Sequence, residues 1–97
     1  MSKQDKYTRS AKDQICQIRL PGSCNGNPET TILAHLGGAG MAMKHLNIHG
    51  AYACSGCHDA VDFRAKTEWT QDQLKRWHLE GVIRTQIIMV KEGVLEL

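Results

Sequence analysis

The sequence predicts one small α+β domain, in which short β-prone pieces and a short helix precede a single long C-terminal helix. Three observations support that class. A chain of 97 residues, 41% apolar, with one Phe, two Tyr and two Trp holds one light core and no second one. Its turn-rich first half gives way after Cys54 to stretches free of proline. Four cysteines occur as two local pairs, and a small domain short of core commonly depends on disulfides or a structural metal.

Residues 1–14 read as a polar basic arm and residues 15–97 as the single folded domain. In and just after the arm, Lys3, Lys6, Arg9, Lys12 and Arg19 outnumber Asp5 and Asp13, a balance that suits either a solubilising terminus or phosphate contacts. The net charge of +2 is by itself a weak argument for a polyanionic partner. Residues 16–20 and 30–36 read as two short strands around the turn-forming segment 21–28. The glycines of segment 37–43 leave too much backbone freedom for a strand or helix, so it reads as a surface loop. Segment 57–65 lacks Gly and Pro and predicts about two helical turns, with Ala60, Val61 and Phe63 available for packing. Thr70 and Gln73 have the spacing of a capping box that opens a helix over 71–91, and Gly93 reads as its stop. The apolar positions of this helix, Leu74, Trp77, Val82, Ile83, Ile87, Ile88, Met89 and Val90, exceed one narrow stripe. Such a helix is buried on several sides or meets another subunit, as in a homodimer formed through it.

The charged opening residues and the lack of a long apolar run predict no export signal and no membrane contact, hence a cytoplasmic protein. In a reducing compartment paired cysteines read as metal ligands before they read as disulfides. Cys16 and Cys24 flank a Pro/Gly/Asn turn, and Cys54 and Cys57 form Cys-Ser-Gly-Cys ahead of the short helix. Two local pairs far apart in sequence suit zinc, which takes four ligands tetrahedrally from two loops. Zinc held this way contributes on the order of 10 kcal/mol to folding. Two other chemistries share the segment. Cys-Ser-Gly-Cys-His has the form of a c-type haem attachment, which normally requires export. Cys-x-x-Cys also serves thioredoxin-like redox, which expects a βαβ context and leaves two cysteines unexplained.

His58 follows the second pair, and Asp62 lies four residues on, so a helix puts both on one face where they can share a divalent cation. A solvated face with Asp62 paired to a basic neighbour fits the same spacing. His35 interrupts the apolar run Ile32-Leu33-Ala34-His35-Leu36, as a core or edge histidine or as a base. Asn47 precedes Cys54 by seven residues and suits a plain turn; His45 and His49 lie in the same region; His78, inside the long helix, is given no role.

Read together, a strand ending in Ala-His-Leu, a glycine-rich loop, an Asn, and Cys-x-x-Cys-His leading into a helix resemble the His-Asn-His endonuclease family, the ββα-metal fold in its zinc-stapled, treble-clef-like form. Residues 15–66 carry that likeness. Over most of the chain, Cys-Gln-Ile-Arg-Leu-Pro-Gly-Ser-Cys-Asn-Gly-Asn-Pro-Glu-Thr at 16–30, Ala-Cys-Ser-Gly-Cys-His-Asp-Ala-Val-Asp at 53–62 and Glu-Gly-Val-Ile-Arg-Thr-Gln at 80–86 are similar to small candidate nucleases of lambda-like phages and prophages.

The resemblance implies a metal-dependent endonuclease acting on DNA in phage or prophage DNA metabolism. Cys16, Cys24, Cys54 and Cys57 would hold a structural Zn2+, and His58 with Asp62 a second, catalytic divalent cation such as Mg2+ or Mn2+. His35 matches the family's general base and Asn47 its middle Asn, which orients the loop or the base. Many members carry an Asp or His ligand immediately before the base. Here that position is Ala34, so His45, His49, Asp59, water or the substrate phosphate would complete the shell. Arg19, Lys44 and Arg64 are candidate phosphate contacts. The same residues also suit a module of another class, a zinc-stapled domain that binds nucleic acid or a protein partner without cutting.

Overall fold

The computed structural model describes residues 6–35 and 49–95. The elements are α1 (Lys6–Ser10), β1 (Ile32–His35), β2 (Gly50–Ala53), α2 (Ser55–Val61) and α3 (Gln71–Lys91), with one 3-10 turn at Pro28–Thr30 ahead of β1. The class is the α+β arrangement predicted from the sequence, with the long helix last. The expected loop at 37–43, Lys44, His45 and Asn47 lie outside the described residues.

The strand pairing differs from the expectation. β1 falls within the predicted 30–36, but its antiparallel partner is β2, with Leu33 opposite Tyr52 and His35 opposite Gly50. Residues 16–20 form no strand. Their apolar side chains are buried as a strand's would be, Ile18 and Leu20 completely. The backbone instead bends, with Arg19 in the left-handed region at a φ of 56°, and makes a single ladder-like bond from the Gln17 N–H to the Tyr52 carbonyl at 2.7 Å. Arg84 on α3 occupies the Gln17 carbonyl, its Nε at 2.9 Å and Nη2 at 2.6 Å, so that group cannot serve a further strand. β2 is Gly-Ala-Tyr-Ala, weak in strand propensity, yet all four residues are buried. It is held because both sides of its backbone are satisfied: β1 pairs with one edge, and the Tyr52 N–H on the other donates to the Thr85 hydroxyl of α3 at 2.9 Å.

The stretch predicted as a polar arm is structured from Lys6 onward. Ala11 is 1% exposed, the Ser10 and Tyr52 hydroxyls are 2.7 Å apart, and Gln14 donates to the Glu92 carboxylate at 3.0 Å. α2 stops at Val61, earlier than the predicted 65. Phe63 adopts a left-handed φ of 63°, and its ring, expected to pack, is 53% exposed.

α3 opens with the predicted capping box: the Thr70 hydroxyl accepts from the Gln73 N–H at 3.1 Å and the Gln73 side chain accepts from the Thr70 N–H at 2.8 Å. Gly93 follows the helix at a φ of 77°, the conformation that suits a glycine stop. The surplus of apolar residues divides between two faces. Leu74, His78, Gly81, Val82, Thr85 and Met89 are buried, whereas Leu79, Ile83, Ile87 and Val90 are exposed. The inward face approaches closely at Gly81, where an added Cβ would come within 2.9 Å of Ile18 and 3.3 Å of Ala51. Among the described residues no helix is long and apolar enough to cross a membrane.

The core has two parts. One gathers the cysteines, Ile18, Leu20, three alanines of the sheet, α2 and the first half of α3, with Trp69 and Trp77 at its margin. The other packs Ala11, Leu33, Tyr52 and Met89, with Tyr7, Ile88, Val94 and Leu95 at its edge. Tyr52 is the largest fully buried side chain. Alanine and cysteine fill much of the rest of the cysteine-lined part, beside Ile18, Leu20, Leu74 and Val82.

Candidate metal centre and histidine face

Cys16, Cys24, Cys54 and Cys57 converge, their sulfurs all within 4.8 Å of one another. The Cys54 and Cys24 sulfurs are 3.8 Å apart, and all four are free cysteines. A sulfur tetrahedron around zinc at the usual Zn–S length of about 2.3 Å has edges of about 3.8 Å, so these residues fit such an ion. Cys54 and Cys57 are fully buried, unlike the exposed nucleophile of a redox pair.

Two local turns bring the sulfurs together. In the first, the Arg19 N–H points at Cys16 Sγ and the Leu20 N–H at Cys57 Sγ, both at 3.4 Å. In the second, Cys54 caps α2 by accepting the Cys57 N–H at 3.4 Å, and the same sulfur accepts from the Asn25 N–H at 3.4 Å. N–H groups aimed at sulfur favour thiolates, the form that binds metal. The turns also touch directly. The Gly56 Cα rests against the Ser23 carbonyl so closely that a Cβ there would lie 2.0 Å from its oxygen.

The electrostatics of the cluster are divided. A hydrogen bond from the Cys57 thiol, opposed by burial and aided by the Arg19 N–H, lowers the Cys16 pKa to about 4. The same bond, with burial, drives the Cys57 thiol strongly upward, and burial pushes Cys24 up. The shared hydrogen bond and burial thus oppose a second charge beside Cys16. Four thiolates this close require positive charge among them.

The histidine face lies on β1, α2 and α3. His58 and Asp62 form an i,i+4 pair with His58 Nε2 3.1 Å from the Asp62 carboxylate, their side chains 22% and 35% exposed. Arg64 reaches Asp62 at 3.5 Å and Asp59 at 3.9 Å. Of the other predicted phosphate contacts, Arg19 folds back so that its Nε donates to the Cys16 carbonyl at 3.1 Å. His49 is exposed. His35 ends β1, half-buried, opposite Gly50.

His78, given no role by the sequence, is 4% exposed, with Nε2 2.8 Å from the Ala34 carbonyl. Burial holds this imidazole below its ordinary pKa. The Ala34 carbonyl and the Asp62 charge act in the opposite sense, and the His58 and His35 rings add to the lowering. Among the described residues His78 is the buried histidine. The signal was its position: Leu74, His78, Gly81, Thr85 and Met89 follow helical spacing, so one polar ring stands in an inward stripe. Among the described residues the four cysteines are the group of three or more ligands close enough to hold a metal ion; His58 and Asp62 supply two donors on the other face.

Comparison with known proteins adds a family. The family model described as "Putative nuclease YbcO" matches residues 5–94. The "Putative nuclease YbcO" of Escherichia coli (strain K12) is 44% identical over 92 residues, which span 91% of this chain and 94% of that protein. The "Putative nuclease ybcO" of Enterobacteria phage 82 matches with the same identity and coverage. A solved chain titled "Structure of a putative bacteriophage protein from Escherichia coli str. K-12 substr. MG1655" is 43% identical, with a TM-score of 0.77 over 89% of this chain and 98% of its own.

Proposed function

The chain belongs to the YbcO family, and from that premise we propose that it is a metal-dependent endonuclease of the His-Asn-His type, hydrolysing DNA phosphodiester bonds in phage or prophage DNA metabolism. The observation that carries this reading is the His58–Asp62 pair, 3.1 Å apart on α2, the helix that the cysteine cluster caps. The name nuclease borne by the relatives, one of them from a phage, supports it.

Each residue has a task. Imidazole exchanges protons near neutral pH, so His35 at the end of β1 takes the proton of the attacking water. His58 and Asp62 hold the cation, one imidazole and one carboxylate, a mixed shell that accepts Mg2+, Mn2+ or a later transition metal. When bound, that cation supplies Lewis-acid stabilisation of the phosphate and the departing oxygen. Asn47 orients the loop or the base. The four cysteines hold the structural Zn2+ that fixes the start of α2 and therefore the direction of His58.

Two observations favour a second reading. Ala34 contributes no ligand, and Asp62 is already engaged by Arg64, as in a zinc-stapled module that grips nucleic acid without cutting it. Plasmid cleavage with Mg2+ or Mn2+ separates the two. The wild-type protein is expected to cut, and His35→Ala to cut about 100- to 10,000-fold more slowly with unchanged zinc content and circular dichroism. Equal cutting by the variant overturns the role of His35. Salt-dependent binding without cutting in any divalent cation establishes the second reading.

A further inference from the structure

We infer that His78 is a positioning residue, whose neutral ring holds the end of β1 in the register that aims His35. The inference rests on the nuclease reading above. The β1–β2 ladder ends at the pair His35 and Gly50. A glycine partner offers His35 no cross-strand side chain, so among the described pairs this one gains no side-chain pairing within the sheet. α3 supplies a contact beside it. His78 Nε2 lies 2.8 Å from the carbonyl of Ala34, the residue immediately before the base.

The chemistry of that contact fixes the ring's state. A carbonyl only accepts, so the nitrogen facing it carries the hydrogen, and a ring 4% exposed is disfavoured as a cation. His78 is therefore the neutral Nε2–H tautomer. Its platform is rigid: α3 is tied to β2 by Thr85, to the cysteine turn by Arg84 on the Gln17 carbonyl, and to Ile18 and Ala51 by the close approach at Gly81. α3 thus links the cysteine cluster to the strand that carries His35. Ala34 has no side-chain donor to offer at this position, and its backbone carbonyl meets α3.

The test compares His78→Leu, His78→Asn and His78→Gln. The Gln amide nitrogen reaches about as far as Nε2 and can donate to the same carbonyl; the Asn amide is one methylene shorter, and Leu has no donor. His78→Leu, folded and with full zinc content, is expected to lose up to about 100-fold in kcat with little change in KM, the size of effect that follows misplacing a reacting group by about 1 Å. His78→Gln restores kcat to within a few-fold. Should Leu not fold, Asn takes its place as the variant that keeps polarity but not reach. Long-range 1H–15N correlation spectra are expected to show the Nε2–H tautomer of His78 in the wild type. The same spectra should show His35 ring signals that move in the Leu or Asn variant and return in Gln. A folded, zinc-loaded Leu or Asn variant with wild-type kcat overturns the inference, as does an Nδ1–H tautomer. If the wild type cuts no DNA, the nuclease reading fails on its own. The His35 signals then decide the positioning: movement in Leu or Asn with return in Gln supports it, and unmoved signals overturn it.

Discussion

The cysteine cluster and the histidine face both carry metal-ligating side chains, yet they are built differently. At the cysteines, four sulfurs lie within 4.8 Å of one another, four backbone N–H groups point at them, and the two turns that deliver them press together at Gly56 and Ser23. At the histidines, His58 and Asp62 stay partly exposed, His35 stands at the last rung of a short ladder, and the buried member of the group, His78, bonds backbone. A structural zinc site closes its coordination with protein ligands, whereas a reactive site leaves positions for water and substrate. The enclosed cysteine cluster could hold a metal in the first way, the His58–Asp62 pair stays partly open to solvent, and on the proposed zinc site the cluster carries much of the folding energy.

The largest expected effect follows from removing the closure. Structural zinc contributes on the order of 10 kcal/mol, comparable to the entire stability of about 5–15 kcal/mol of an ordinary domain. Cys57→Ala, or a strong chelator acting on the wild type, is expected to abolish the cooperative thermal transition and much of the helical circular dichroism, with zinc stoichiometry near zero. His58→Ala leaves that transition in place, which isolates the two faces. A chelated chain that still melts cooperatively would remove the distinction between them.

A smaller effect tests how the two cysteine turns are joined. Gly56→Ala puts a methyl group where the Ser23 carbonyl stands, so Cys24 or α2 must shift. Overpacking of this kind typically costs about 1–3 kcal/mol, here shared between fold and metal affinity. Urea melts and competition for zinc with a chromogenic chelator are expected to show both losses together. Loss of stability with wild-type zinc affinity would mean that the Gly56 contact serves packing alone.

Local rules make much of this legible in the sequence. The capping box at Thr70 and Gln73, the stop at Gly93 and the pairing of cysteines in two turns are written in adjacent residues, so short-range chemistry suffices to read them. What escaped depends on distant partners. β2 has a poor strand sequence, and it is a strand because β1 and Thr85 together satisfy its backbone. Segment 16–20 has a good strand sequence and is not one, because Arg19 turns left-handed into the cysteine cluster and Arg84 takes the Gln17 carbonyl. Phe63 looked like core and is exposed, because α2 ends one turn early. On the histidine face, the i,i+4 spacing foretold the contact between His58 and Asp62. His78 was passed over because its partner, the Ala34 carbonyl, lies 44 residues away in the chain.

The smallest expected effect is a pH dependence that separates the two faces by sign and origin. His78 has a folded-state pKa below its usual 6.5, chiefly because burial penalises the charged ring; the Ala34 carbonyl and Asp62 oppose that shift and the His58 and His35 rings add to it. Above about pH 6.5 the ring is neutral in both folded and unfolded chains, and its contribution to stability is constant. As pH falls below that value, the unfolded chain binds a proton that the folded chain still refuses, so stability declines until the folded-state pKa is passed. His78→Gln has no proton to bind there. Urea melts of the zinc-loaded proteins between about pH 8 and about pH 5 are therefore expected to show the wild type losing more stability than His78→Gln over the acid half of the range. Protonation of the cysteines weakens metal binding in both proteins alike and cancels in the comparison. Because the causes of the shift partly oppose one another, the difference is smaller than the loss on removing zinc. Parallel declines in the two proteins would show that the His78 ring is not held neutral by burial, and that the acid sensitivity of the fold arises elsewhere, as in the cysteine cluster.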